Sequence, residues 1–330
     1  MRSPHSSSSS SASEACGSER SPAVGRVTST AGVGDPPGRG GPTARESRWA
    51  WLFLAPTLIG LAVLSAGPIL AALGISLTKW DMLTPPQVVG LDNYVNLLHD
   101  DRFLKALRNT TFYTVVSVPV GLVLALGLAS ALNQQIRGIA WIRTAYFLPL
   151  VTSATAIALV WLWIYSPTGI LNSFLGIFGI TPQRWVSDPT LAMPSIIAMS
   201  VWQGLPANVI IFLAGLQGIP TEYYDAASVD GAGRRSRFRK ITLPLLTPSI
   251  FFTGVLALIG AFQVFDQVYV MANPGKPSES TITLVYFIYE AGFRNFKMGY
   301  ASAASWIMFL IVAVATVLYF RTQDRWVHYQ

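Results

Sequence analysis

The sequence predicts an all-α integral membrane protein: six transmembrane helices, with a cytoplasmic helix hairpin between the fourth and the fifth. Three observations carry that prediction. The chain is 52% hydrophobic and only 12% charged, against about a quarter charged in a soluble domain. Six apolar runs each reach the roughly 20 residues that a helix needs to cross about 30 Å of hydrocarbon. Between the fourth and fifth runs lies the polar stretch 219–248, IPTEYYDAASVDGAGRRSRFRKITLPLLTP.

Taken in order, residues 1–48 are rich in Ser, Gly, Pro and Arg. They offer too little apolar surface to offset ordering entropy, so a disordered cytoplasmic tail is expected. The tail lacks the apolar stretch of a secretory signal. The only cysteine, Cys16, follows a serine run, which disfavours a lipid anchor, and one cysteine forms no intrachain disulfide. The spans follow at 49–78, 109–132, 144–165, 191–213, 249–271 and 299–320. Pro56, Pro68, Pro119 and Pro206 fall inside them and are tolerated where neighbouring helices satisfy the freed backbone groups. The segment 79–108 is external. Its Tyr94, Leu97, Leu98, Phe103, Leu104 and Leu107 recur at helical spacing, which predicts one or two short helices on the outer surface. The core of the fold is expected over 109–320, with a short cytoplasmic tail at 321–330.

Orientation follows from the basic residues. The 219–248 loop carries five of them, Arg234, Arg235, Arg237, Arg239 and Lys240, whereas the 166–190 loop carries Arg184 alone. Both termini and the 219–248 loop are therefore expected in the cytoplasm. Trp80, Trp161, Trp163 and Trp185 lie near outer span ends, and Trp49, Trp51, Trp141 and Trp326 near inner ends, as interfacial belts require. The net charge of +7 is explained by this topology rather than by nucleic acid. No Cys/His cluster points to a metal.

Within the loop, Thr221 is a candidate N-cap, and Glu222 and Asp225 place acid in the first helical turn. Asp230-Gly231 ends the helix, with Gly231 supplying a left-handed turn. A second short helix is expected over 234–241, with Phe238 and Ile241 on one face. An ordinary polar connector obeying the charge rule, or a headgroup-binding basic run, explains the arginines equally well. Neither explains the small residues.

Those small residues resemble the EAA loop of permease subunits in ATP-binding-cassette importers. The family pattern runs E-A-A-x-x-D-G-A, then Phe, then I-T-L-P, then Pro. Here it reads Asp225-Ala226-Ala227-Ser228-Val229-Asp230-Gly231-Ala232, then Phe238, Ile241-Thr242-Leu243-Pro244 and Pro248. Asp225 stands where the pattern usually has Glu and keeps the charge on a shorter side chain. The segments GLDNY, ALRNT, RTAYFLP, ITLPLL, FQVFDQVYV, FRNFKMGYASA and RWVHY resemble the branch of maltose, multiple-sugar and glycerol-3-phosphate permeases. The likeness covers about 49–330.

The resemblance implies a type I importer permease fold and binding-protein-dependent sugar import across a bacterial cell membrane. It implies a second homologous permease, two cytoplasmic ATP-binding subunits that use Mg-ATP, and an extracytoplasmic solute-binding protein. It makes Asp225, Ala226, Ala227, Asp230, Gly231, Ala232, Phe238 and Pro244 the coupling residues. The chain itself is expected to bind no cofactor and to catalyse nothing, and it has no G-x-x-x-x-G-K-[ST] phosphate loop. Polar residues inside spans are costly and often functional. Asp266 is the only acidic residue inside a predicted span, and Gln263 lies three residues earlier. Gln203 follows Trp202 in the fourth span, with Asn208 deeper. Amides beside aromatic faces suit a sugar, although the same amides can serve as interhelical glue. The spans hold no basic residue, which favours a neutral sugar. An ion-coupled secondary transporter needs more buried ionisable groups than Asp266. A membrane enzyme needs a clustered His, Ser or acid set, which the sequence lacks. A non-transport scaffold stays open on the basic run alone.

Overall fold

A computed structural model describes residues 44–134, 141, 144, 146–271 and 279–326. The expected disordered tail with Cys16 lies, but for its last residues, outside the described residues, as do residues 327–330. Residues 1–59 and 60–330 form two units. The first contributes most of helix α1 (Ala44–Leu61).

In the second unit a π turn at Ala62–Ala66 precedes α2 (Gly67–Ser76). Pro68 explains the wide turn, because its ring displaces the carbonyl four residues back and removes an amide donor. Two short strands, β1 (Thr78–Lys79) and β2 (Gln87–Val88), pair antiparallel with Thr78 opposite Val88. This ladder is the one departure from an all-helical chain among the described residues. Next come α3 (Asp92–Leu98) and α4 (Asp101–Leu132). The second span thus begins eight residues before the expected position. Asp100 sets the start, since its side chain accepts from the amides of Arg102 at 2.8 Å and Phe103 at 3.2 Å. Phe103, Leu104 and Leu107 therefore sit in the first turns of the span helix rather than in a separate surface helix.

Among the described residues, five helices are long and apolar enough to cross a bilayer: Trp51–Ser76, Asp101–Leu132, Ala192–Gln217, Thr247–Met271 and Met298–Gln323. The third expected span departs from this. Its regular helix α5 (Ala154–Ile164) has 11 residues, about 16 Å of rise. A 3-10 turn, Leu148–Val151, precedes it, and Thr152 is extended. Pro149 cannot continue a helix from the preceding turn, so the apolar run 144–165 is broken near its start. Helix α6 (Ile170–Gly176) leads to α7 (Ala192–Gln217), which contains Pro206. The hairpin follows as α8 (Thr221–Val229), α9 (Arg234–Arg237) and a π turn at Phe238–Thr242. The fifth span is also broken: α10 (Thr247–Phe262) stops, Gln263 to Phe265 are non-helical, and α11 (Asp266–Met271) resumes. Helix α12 (Leu284–Tyr289), a π turn at Glu290–Arg294 and α13 (Met298–Trp326) are the last described elements.

The spine of the bundle is α4 against α7, with α10 against α4 and α13 against α2. Gly121, Ala125 and Ala129 recur every four residues on α4, and the two alanines are fully buried against Val209, Phe212 and Leu216. Small residues at that spacing let two helix backbones approach inside a membrane. At the end of the bundle away from the hairpin, a second cluster packs Leu97 and Phe103 against Leu284, Phe287 and Ala303. Long-range polar bonds reinforce it. Arg102 pairs with Glu290, and with Glu279 at 3.3 Å. The Tyr300 hydroxyl donates to Asp100 at 2.7 Å, and the Leu284 amide donates to the Thr110 hydroxyl at 2.9 Å. Asn109 donates to the carbonyl of Ile282 at 3.0 Å.

Candidate functional sites

The hairpin has a fixed, locally determined shape. Pro220, not Thr221, occupies the N-cap position, and no side chain caps α8. Proline's fixed φ suits the turn into the first residue, so the expected Thr221 cap is not used. The other end is fully explained by three residues. The Gly231 amide donates to Ser228 O at 3.1 Å, and the Ala232 amide donates to Ala227 O at 2.8 Å. Gly231 has φ +72°. This is a Schellman stop, which requires the left-handed conformation at the residue glycine occupies. The Asp-Gly-Ala triplet is thereby a statement about backbone geometry.

The return limb is tied to the first. Arg237 donates to the Ser228 hydroxyl at 2.8 Å, and Tyr224 and Thr242 share a hydroxyl bond of 3.0 Å. The expected second helix is realised as one α turn that widens into the π turn containing Phe238 and Ile241, both half-buried. Asp225, Ala226, Asp230 and Gly231 are exposed, while Ala227, Ala232 and Pro244 are half-buried. Beside Ala226, Tyr223 and Val229 are also exposed, Val229 at 88%. The hairpin thus presents an apolar strip of small and medium side chains flanked by acid. Its roots are close-packed: a Cβ on Gly215 would collide with the Ser249 hydroxyl and with Leu246 at 2.7 Å.

Inside the bundle, α4, α7 and α10 line an open-sided cavity of about 540 Å³, within the range of small-molecule sites. Its walls are helix faces read every four residues: Tyr113, Ser117 and Gly121 on α4, and Ser200, Gly204 and Asn208 on α7. The break in the fifth span supplies Gln263, Phe265, Asp266 and Gln267. Non-helical backbone at this depth needs partners, and Thr283 meets one need by donating to Val264 O at 3.2 Å. Asp266 is the only charged side chain in the described wall.

The structure brings Asn208, Gln263 and Asp266 together in this wall. Gln203 lies behind it, accepting from Gln267 at 3.2 Å. Trp202 is not part of the cavity. It points into an apolar groove with Phe112, Val116 and Ile197, and packs on Trp161 with ring centroids 5.6 Å apart. Consecutive helical residues diverge by about 100°, so Trp202 and Gln203 cannot share a face. Tyr113, Ser117, Ser200 and Gln267 were missed by sequence reasoning. Their signal was present as small or polar residues at four-residue intervals in apolar helices. Among the described residues no His, Cys, Asp or Glu group is arranged to hold a metal.

Comparison with known proteins places these features in context. Residues 117–327 match the model of the family described as binding-protein-dependent transport system inner membrane component. The chain is 38% identical over 290 residues to the probable ABC transporter permease protein YesP of Bacillus subtilis, covering 87% of this chain and 94% of that one. It is 38% identical over 276 residues to the lactose transport system permease protein LacF of Rhizobium radiobacter, covering 82% and 92%. It is 34% identical over 288 residues to the sn-glycerol-3-phosphate transport system permease protein UgpA of Escherichia coli, covering 86% and 97%. A crystal structure of a bacterial ABC transporter involved in import of the acidic polysaccharide alginate shares the fold. Its TM-score is 0.75 at 23% identity, covering 85% of this chain and 96% of that one.

Proposed function

The chain belongs to the family of binding-protein-dependent transport system inner membrane components, and from that premise we propose that it passes a neutral sugar through the cavity between α4, α7 and α10. The observation that carries this reading is the cavity wall. It offers amides from Asn208, Gln263 and Gln267 and the ring of Phe265, with Tyr113 and Ser117 on the α4 face. Sugar hydroxyls need donors and acceptors, and sugar C–H faces suit aromatic rings. With Asp266 as its only charge, the wall repels an anion, so a phosphorylated polyol fits less well than an uncharged saccharide.

The exposed strip of the hairpin supports docking into a groove of an ATP-binding subunit in the cytoplasm. Its basic limb agrees with that side of the membrane. A complete transporter then comprises this chain, a second permease, two ATP-binding subunits and a binding protein that delivers the solute. The chain itself hydrolyses nothing and acts by transmitting motion from hairpin to spans.

The test is uptake by the complete transporter in proteoliposomes, with labelled lactose, maltose, raffinose and glycerol-3-phosphate as probes. ATP-dependent uptake of at least one saccharide is expected. Asn208→Leu and Gln263→Leu are expected to raise its half-saturation concentration about tenfold, the effect of losing one good hydrogen bond. Transport of glycerol-3-phosphate alone overturns the neutral-sugar reading. Uptake driven by a proton gradient without ATP overturns the ATP-driven one.

A further inference from the structure

The cavity has a continuation. Phe265, in the break of the fifth span, is one wall of it. From Phe265 a set of rings runs outward through three successive elements. Phe265 lies 5.3 Å from Tyr269 and 5.2 Å from Tyr289, centroid to centroid. Tyr269 lies 5.6 Å from Tyr289 and 6.4 Å from Tyr286, and Tyr289 stacks on Phe293 at 5.8 Å with a 27° interplanar angle. Five rings thus form an unbroken ladder from the cavity to the π turn Glu290–Arg294.

Rings that serve only as core are buried, as Phe103 and Phe212 are. The ladder instead opens as it leaves the cavity: Tyr269 is 43% exposed and Phe293 is 63% exposed. Rings of an interfacial belt sit at headgroup depth. These touch in series, and three of the five carry a hydroxyl. The chemistry is amphipathic through its middle, where the three tyrosines join π surfaces for C–H groups to phenol edges for hydroxyls. Amides and Asp266 wait at its inner end. A lipid chain gains nothing from those hydroxyls and amides, whereas a saccharide uses both.

We propose that Phe265, Tyr269, Tyr286, Tyr289 and Phe293 form an entry track on which a saccharide slides between the far end of the bundle and the cavity. It rests on the cavity being the solute site. Because neighbouring centroids are between 5.2 and 6.4 Å apart, a sugar leaving the open side of one ring is already within reach of the next. No single face holds it strongly, which is what passage requires.

Cys16 is the only cysteine in the chain, so Cys16→Ser gives a clean background for single-cysteine variants. Tyr269→Cys, Phe293→Cys and, on α13 away from the ladder, Phe309→Cys are reconstituted with the complete transporter. Each is treated with a charged, water-soluble thiosulfonate. The track predicts fast reaction at 269 and 293 and slow reaction at 309. In parallel, Tyr269→Ala and Phe293→Ala are expected to slow uptake of the transported saccharide about tenfold per ring lost, and Tyr269→Trp to retain it. Reaction at 269 and 293 no faster than at 309 means the ladder is sealed against lipid or the second permease, and overturns the proposal. So does fast reaction with unchanged uptake in both alanine variants. Wild-type transport of glycerol-3-phosphate alone is a different failure, that of the neutral-sugar reading, and removes the track with it.

Discussion

The hairpin and the far end of the bundle are stabilised by contacts of opposite range. In the hairpin the side-chain bonds of Tyr224, Ser228 and Arg237 join residues at most 18 apart, the longest being Tyr224 to Thr242. At the far end, Arg102 reaches Glu290 across 188 residues, Thr110 meets Leu284 across 174, and Tyr300 meets Asp100 across 200. The hairpin can therefore keep its shape while the helices beneath it move. The far end ties the head of α4 to α12 and α13, and its geometry exists only when the whole bundle has formed.

Variants can break that contrast. The largest functional effect is expected from Gly231→Val. The left-handed conformation costs a side-chain-bearing residue roughly 1–2 kcal/mol, and more for a β-branched one. Since no atom lies within 4 Å of a Cβ placed at Gly231, the loss comes from backbone geometry alone. Uptake should vanish while the protein stays in the membrane, and Gly231→Asn, which tolerates that conformation, should restore part of it. A fully active Gly231→Val variant would refute the role given to the turn.

The largest effect on stability is expected at the far end. Arg102→Gln leaves Glu290, whose side chain is 17% exposed, without its cation. A thermal melt of the detergent-solubilised protein should show a loss of about 2 kcal/mol, reduced from the fully buried case by partial exposure. Thr110→Val orphans the buried Leu284 amide at a cost of about 1–3 kcal/mol, read in the same melt. Tyr224→Phe is the mildest. It removes a half-exposed hydroxyl bond and should leave the melt nearly unchanged while weakening copurification of the ATP-binding subunit. Equal melting shifts for Tyr224→Phe and Thr110→Val would erase the distinction between local and global regions.

The same distinction explains what the sequence made legible. The Schellman stop needs only Asp230-Gly231-Ala232 and the turn before it, so a linear motif contains the whole geometry. The five long spans are legible because length and apolarity are summed locally. The breaks were not. The 144–165 run is apolar nearly throughout and the 249–271 run is apolar up to Gln263, and periodicity carries no mark of where Pro149 stops one helix or where Val264 O finds Thr283 instead of a helical donor. Asn208 and Gln263 were legible as polar residues in apolar runs. That Trp202 faces away from them follows from helical phase, and that Gln203 is tied behind the wall follows from its pairing with Gln267 across 64 residues.

The contact at Gly215 has a mechanical corollary. With no room for even a methyl group between α7 and the Leu246–Ser249 turn, and with Leu216, Ile219 and Leu246 buried around it, the two shafts carrying the hairpin are clamped at their base. A load applied at the tip meets no soft joint there, so it turns both shafts as one lever about a common fulcrum. Enlarging residue 215 would pry the shafts apart and let the tip yield without moving them.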